Sequence, residues 1–228
     1  AASNKALSNC RGEYVLQLDS DDAILPNTVE SLVTVLEQND VGFVYGDSYL
    51  TDPSGKVYDR AYSWSLFSRS KLLNGMMVHH PRMFRMRYYR RIAGFDEGLS
   101  NAVDYDLFLK LSEVTEGYHL QTPLYLYRQH NTNTSRVNIE EQDSNTYRAI
   151  SNALQRIGLG ERVQLLPDPQ HNRRVLMELI EEPLDFKLDI SASMERMGIQ
   201  EPVNSKFHIW EINQIVSRGS LSRQEEFQ

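Results

Sequence analysis

The sequence predicts an α/β fold, with short apolar strands alternating with amphipathic helices. Three observations carry this expectation. The runs "EYVLQLD" (13–19), "VGFVYGD" (41–47) and "PLYLYR" (123–128) have the length and the aromatic and β-branched content of strands. Between them stand stretches with helical spacing, Val29, Leu32, Val33 and Leu36 in one and Leu107, Phe108 and Leu111 in another. Neither repeats nor low-complexity tracts break the alternation.

Taken in order, "EYVLQLD" is a buried strand, and Pro26 followed by Asn27 opens a helix, with Asn27 as N-cap and Glu30 at the capping-box position. "VGFVYGDSYLTD" (41–52) is the next strand, "DPSGK" (52–56) a turn and "KVYDRAY" (56–62) its hairpin partner. A helix over "WSLFSRSKLLNG" (64–75) ends at Gly75. "MFRM" (83–86) reads as a short strand and "RYYRRIAG" (87–94) as a helix. "DYDLFLKLSEV" (104–114) is a helix with Asp104 and Asp106 at or near its start, "PLYLYR" a strand, and "EEQDSNTYRAISNALQRIGL" (140–159) a long amphipathic helix. The expected division is an α/β part over 1–158 and, over 159–228, a helical extension or a connection to something else.

A chain of 228 residues with 40% hydrophobic content suffices for one medium domain with a real core. Its net charge of -7 argues against nucleic acid or an anionic membrane as partner, although "RYYRR" (87–91) offers a local anion site. A single cysteine, Cys10, excludes an internal disulfide framework and a cysteine zinc site. No apolar run approaches the roughly 20 residues needed to span a bilayer. The opening "AASNKALSNCRGEYV" reads like the interior of a fold, so an upstream part is expected to precede Ala1.

The chemistry concentrates where the first strand runs into "LDSDD". Asp19, Asp21 and Asp22 repel one another unless a cation, a basic side chain or open solvent relieves them. Alternation along a strand would turn Asp19 and Asp21 to one side and Ser20 to the other. A hard divalent ion suits such oxygens. A calcium loop of the EF-hand kind is excluded, because Ala23 stands in the third ligand slot and no glycine in the sixth. An aspartyl phosphohydrolase lacks an evident companion set, and a solvated turn or cap remains open.

The surroundings resemble the family 2 glycosyltransferases of the GT-A type. "SNKALSNCRGEYVLQLDSDDAILPNTVESLV" (3–33) is similar to that family's run through a small helix, a strand and an aspartate-any-aspartate motif, and "AGFDEGLSNAVDYDLFLKLSEV" (93–114) to its acceptor segment. "MMVHHPRMFRMR" (76–87), "SNAVDYDLFLKLSEV" (100–114) and "RQHNTNTS" (128–135) resemble the glucuronic-acid-transferring domain of bacterial two-domain hyaluronan and chondroitin polymerases. The likeness covers roughly 1–158 and departs from the family at Ser3, where an arginine is common, and at Val103, where a glutamate is common.

The resemblance implies a Rossmann-like GT-A fold with a mixed sheet flanked by helices, whose first strands would lie upstream. It implies inverting, metal-dependent transfer of a sugar, plausibly glucuronate, from a UDP-sugar to a growing glycan, with Mn²⁺ or Mg²⁺ as cofactor. Asp104 is the expected catalytic base, its other reading being a helix N-cap. Asp21 is the expected primary metal ligand, with Asp19 beside it and His130 as a third ligand or diphosphate contact; Asn4 and Ser20 join Asp19 and Asp21 on the donor. His79, His80 and Arg82 suit sugar hydroxyls and a glucuronate carboxylate, and Asp106 shares the acceptor pocket or caps its helix. The lone cysteine fits a reducing cytoplasm as the expected location, where other parts of the parent could hold the domain at the inner face of the membrane. Two alternatives stay open: a non-catalytic glycan-binding or scaffolding remnant of such an enzyme, and a metal-dependent phosphoesterase.

Overall fold

The structure, a computed structural model, describes residues 2–63, 66–131, 133, 139–167 and 175–179. Its sheet is built on β3 (Phe43–Thr51), whose apolar stretch lies almost wholly buried. On one side β3 pairs antiparallel with β5 (Arg82–Arg85), and β5 with β1 (Tyr14–Gln17). On the other side it runs parallel to β6 (Gly117–Arg128), which carries the short antiparallel strand β2 (Ala23–Ile24). The expected hairpin forms: β4 (Val57–Arg60) folds back on the end of β3 through the turn at Asp52–Gly55. The parallel pair requires a crossover, which passes through α3 (Arg69–Asn74), β5, α4 (Met86–Tyr89) and α5 (Val103–Val114). Helix α1 (Ala2–Ser8) precedes β1, and α6 (Ile139–Arg156) follows β6.

Alternation along β3 and β5 divides the core. Phe43, Tyr45 and Phe84 face Leu72, Leu107, Phe108 and Leu111, whereas Val44 and Met83 face Leu32 and Leu36 of α2 (Thr28–Gln38). The apolar stripe expected on α2 is narrower than its spacing suggests, because Val29 is 47% exposed. The capping box does not form either, since Asn27 makes no side-chain cap bond. The first turn is anchored by the Thr28 hydroxyl, which donates to the Leu124 carbonyl at 2.6 Å. Helix α3 is shorter than the stretch expected to form it, starting at its Ser68 cap and ending at Gly75; residues 64 and 65 lie outside the described residues. Of "RYYRRIAG" only residues 87–89 are helical, forming α4 together with the preceding Met86.

The helix expected after residue 158 is a correction. Val163–Pro167 (β7) and Val175–Leu179 (β8) form an antiparallel hairpin, while residues 168–174 and 180–228 lie outside the described residues. The physical reason is burial: Val163, Val175 and Met177 sit at alternate positions in the same core as Leu72 and Ile150. The Asn74 amide, donating to the Val175 carbonyl, ties β8 to the end of α3.

Two close approaches test the packing at the start of β6. A Cβ on Gly117 would come within 2.3 Å of the Phe43 ring, and one on Gly42 within 2.2 Å of the Thr115 side chain. Phe43 is held between Phe67 and Phe108, with ring centroids at 5.2 and 5.3 Å, and cannot retreat cheaply. Gly117→Ala is therefore expected to destabilise the protein by about 1–3 kcal/mol, as overpacked cores do. Thermal unfolding checks this, with a drop of roughly 2–4 °C per kcal/mol for a chain of this size.

Candidate active site

The pairing of β1 with β5 sets Arg82 opposite Gln17, two residues before Asp19. This register brings "LDSDD" and "HHPR" to one end of the sheet, where α5 also begins. Ala102, at φ 55, turns the chain into α5 as its N-cap residue, so Asp104 lies inside the first turn and is not the cap. The Asp104 Oδ2 atom is 2.8 Å from Arg82 Nη2, and Oδ1 accepts the Tyr105 amide N–H at 2.9 Å. Arg82 is only 4% exposed; it donates to the Val78 carbonyl at 3.2 Å and lies over the Phe108 ring at 5.4 Å. Burial alone would push the Asp104 carboxyl up, but the charge and hydrogen bond of Arg82 outweigh it and hold the group below the usual carboxylate range. Asp104 is thus ionised at neutral pH and, at 37% side-chain exposure, still open to a ligand. Because Asp104 occupies it, the Arg82 fork expected for a glucuronate carboxylate is already engaged.

His79 and His80 border this pair. Burial first, then the charge of Arg82, pushes His79 down to about 4 and His80 down to about 3, so both rings are neutral at pH 7. The His80 ring stacks on Tyr125 at 5.0 Å, and its buried Nε2 has no hydrogen-bond partner, lying 3.8 Å from Asp19 Oδ2. Protonation is easier in the unfolded chain, near the ordinary histidine value of about 6.5. The stability these rings contribute is therefore complete above about pH 6.5 and lost as pH falls towards 4. Denaturant titrations at pH 7.5 and 4.5 should show lower stability at the acid value, and a His79→Gln/His80→Gln variant should show a flatter dependence. An unchanged difference in that variant would place its origin elsewhere.

The three carboxylates of "LDSDD" escape mutual repulsion by taking different partners. Asp21 Oδ2 meets His130 Nε2 at 2.8 Å, and that bond is the chief cause lowering the Asp21 pKa. Asp22 Oδ1 accepts the Arg128 amide N–H at 2.7 Å, while the Arg128 side chain donates Nε–H to the Asp21 carbonyl at 2.9 Å. Asp19 turns towards His80, and its amide N–H donates to the Tyr125 hydroxyl at 3.2 Å. Burial raises the Asp19 pKa, opposed by Arg82 and reinforced by Asp104 and Asp21. Asp19 thus lies between the Asp21 turn and the His80–Arg82 segment, 3.8 Å from His80 Nε2. Among the described residues no three His, Cys, Asp or Glu side chains are gathered to hold a metal ion. The donor set nevertheless fits a hard divalent cation, because such ions are commonly held by one or two protein ligands and completed by substrate phosphates.

Two residues expected in the site have their polar groups engaged by other parts of the chain. Asn4 spends its whole hydrogen-bonding capacity on the end of α4 and the loop after it: Nδ2 donates to the Phe95 carbonyl at 2.9 Å and to Glu97 at 3.0 Å, and Oδ1 accepts from the Tyr89 hydroxyl and the Phe95 amide. Gly94, at φ 70, is obligatory beside this clamp, since a Cβ there would lie 2.9 Å from Asn4 Oδ1. Asp106 has no exposed surface and pairs with Lys110 Nζ at 2.6 Å, out of an acceptor's reach. Ser20 is exposed in the turn. Of the segment "RQHNTNTS", residues 132, 134 and 135 lie outside the described residues.

Sequence reasoning missed Tyr125, which backs both His80 and Asp19, and a buried polar layer below the site. There Asp47, 2% exposed, binds His119 Nε2 at 2.8 Å and Arg60. Burial opposes ionisation of Asp47, but the bonds from His119, Arg60 and Ser63 hold its carboxyl at about 2. The only available signal was polar residues at inward positions of otherwise apolar strands, which spacing alone does not distinguish from edge exposure.

Residues 1–94 match the profile of Glycosyl transferase family 2. Among similar proteins, the chondroitin synthase of Escherichia coli is 36% identical over 81% of this chain and 27% of its own length. The hyaluronan synthase of Pasteurella multocida is 40% identical over 70% of this chain and 16% of its own length, so the chain spans about a quarter or less of these relatives. The crystal structure of S. aureus TarS 1-349 in complex with UDP-GlcNAc superposes with a TM-score of 0.50 at 16% identity, covering 66% of this chain and 45% of that one, a likeness of fold. With its mixed, helix-flanked sheet of the GT-A type, this chain belongs to glycosyltransferase family 2.

Proposed function

We propose that the chain carries the acceptor and metal-diphosphate parts of a glycosyltransferase site that moves a sugar, in our reading glucuronate, from a UDP-sugar to a glycan. The observation that carries this is the β1–β5 register, which sets the Asp19–Asp21 turn, with its Asp21–His130 pair, at the same end of the sheet as Arg82 and its ionised, part-exposed partner Asp104. The relatives' names support a polysaccharide product, and the UDP-GlcNAc complex of TarS supports a nucleotide-sugar donor. Asp104 accepts the proton of the attacking acceptor hydroxyl, whose oxygen bonds to the donor's anomeric carbon as the carbon–diphosphate oxygen bond breaks and UDP departs. One carboxylate acting on one face gives inversion at that carbon. Arg82 fixes the Asp104 rotamer and keeps it unprotonated, at some cost in basicity. Neutral His79 and His80 line the same region with groups able to bond sugar hydroxyls.

Asp21 and His130 would hold a divalent ion, Mn²⁺ or Mg²⁺, which when bound neutralises charge on the departing diphosphate. Asp21→Ala should accordingly weaken Mn²⁺ binding, measured by titration calorimetry with UDP present. Equal affinity in variant and wild type would sink the assignment. The function itself is tested by UDP release from UDP-glucuronate with and without an oligosaccharide acceptor. Release that requires the acceptor supports transfer. Phosphate release without an acceptor favours a phosphoesterase, and glycan binding without turnover favours a non-catalytic remnant.

A further inference from the structure

We infer that Asn133 is a positioning residue: its side-chain amide seats the His130 imidazole against Asp21 and thereby sets how tightly this end of the site holds a divalent cation. The inference rests on the reading of Asp21 and His130 as cation ligands. Asn133 is buried, 8% exposed, at the close of the turn that follows β6. Its Oδ1 accepts the His130 amide N–H at 2.6 Å, its Nδ2 donates to the Arg128 carbonyl at 3.1 Å, and its own amide N–H donates to the His130 carbonyl at 3.3 Å. One side chain thus bridges the backbone of residues 128 and 130.

The far end of that bridge is fixed to the carboxylate turn. Arg128 donates its amide N–H to Asp22, Nε–H to the Asp21 carbonyl, and Nη1–H to the Pro53 carbonyl at 2.8 Å. The place of His130 relative to Asp21 then depends on the short stretch from Arg128 to His130, with only Gln129 between them, the very stretch that Asn133 clamps. The chemistry asks for an amide, because the clamp needs an acceptor for one backbone group and a donor for another on the same short side chain. Alanine supplies neither.

A residue that merely satisfies a buried turn would cost stability without acting through His130, so the test is a double-mutant cycle. Mn²⁺ affinity in the presence of saturating UDP is measured by calorimetry for wild type, Asn133→Ala, His130→Ala and the double variant, alongside melting temperatures. Asn133→Ala is expected to weaken Mn²⁺ binding about 10- to 100-fold, the usual effect of losing a group that orients a ligand. The same change should have no further effect once His130 is alanine. Wild-type affinity in Asn133→Ala, or an effect that adds to that of His130→Ala, would overturn the inference. Wild-type affinity in His130→Ala would instead remove the cation-site reading beneath it. If Asn133→Ala melts below the assay temperature, the cycle run with Asn133→Ser, which keeps a hydroxyl in the turn, gives the same decision.

Discussion

Replacing Asp104 with asparagine is expected to lower the turnover of sugar transfer by about 10²- to 10⁴-fold, the usual worth of a general base. The substitution keeps the size of the side chain and an oxygen that can accept from Arg82 Nη2, now 2.8 Å from Asp104 Oδ2. What it removes is the proton-accepting carboxylate. Arg82 retains its bond to the Val78 carbonyl and its seat on Phe108, so the variant should remain folded at the assay temperature. UDP affinity should be unchanged, because Asp104 belongs to the opposite end of the cluster from Asp21 and His130. The measurement is transfer to a defined oligosaccharide at saturating UDP-sugar. Near-normal turnover in Asp104→Asn would reject the base assignment.

Asp106→Ala should have the opposite signature, a large loss of stability with the chemistry spared in whatever protein remains folded. Asp106 lies within a buried ionic network: Lys110 Nζ at 2.6 Å, itself bonded to the Gly94 carbonyl at 3.0 Å, and Arg156 at 3.7 Å, which also forks onto Glu113 at 2.7 Å. Deleting Asp106 leaves Lys110 buried without its carboxylate, and breaking a buried pair in this way typically costs about 3–5 kcal/mol. Denaturant unfolding reads the effect directly. A variant with wild-type stability and no transfer activity would return Asp106 to the acceptor site.

The contrast between Asp104 and Asp106 explains what the sequence could and could not disclose. Two residues apart on a helix are rotated by about 200°, so one of the two carboxylates must point away from whatever the other faces. The spacing reveals that they diverge but not which one meets Arg82, because that choice depends on β5 and α6 packing against α5 from separate parts of the chain. The strands and the hairpin were readable because alternation and turn chemistry are local. The same locality made "LDSDD" conspicuous, while leaving the partners of its carboxylates, residues 80, 125, 128 and 130, unidentified apart from His130. The bonds of Asn4 were hidden for a related reason: its partners at Phe95 and Glu97 lie about ninety residues along the chain. The β7–β8 hairpin was obscured because its five-residue strands are too short for period 2 to prevail over helical readings of the flanking charge.

The central claim is that one site joins an ionised base to a diphosphate end and transfers a sugar with inversion. It is tested most directly by the proton NMR spectrum of the product formed from UDP-glucuronate, whose sugar is α-linked to the diphosphate, and a neutral oligosaccharide in the presence of Mn²⁺. A new β-anomeric signal that grows with time and is strongly diminished in Asp104→Asn is the expected result. A new α-anomeric signal, or a β signal growing equally fast in the variant, would contradict it.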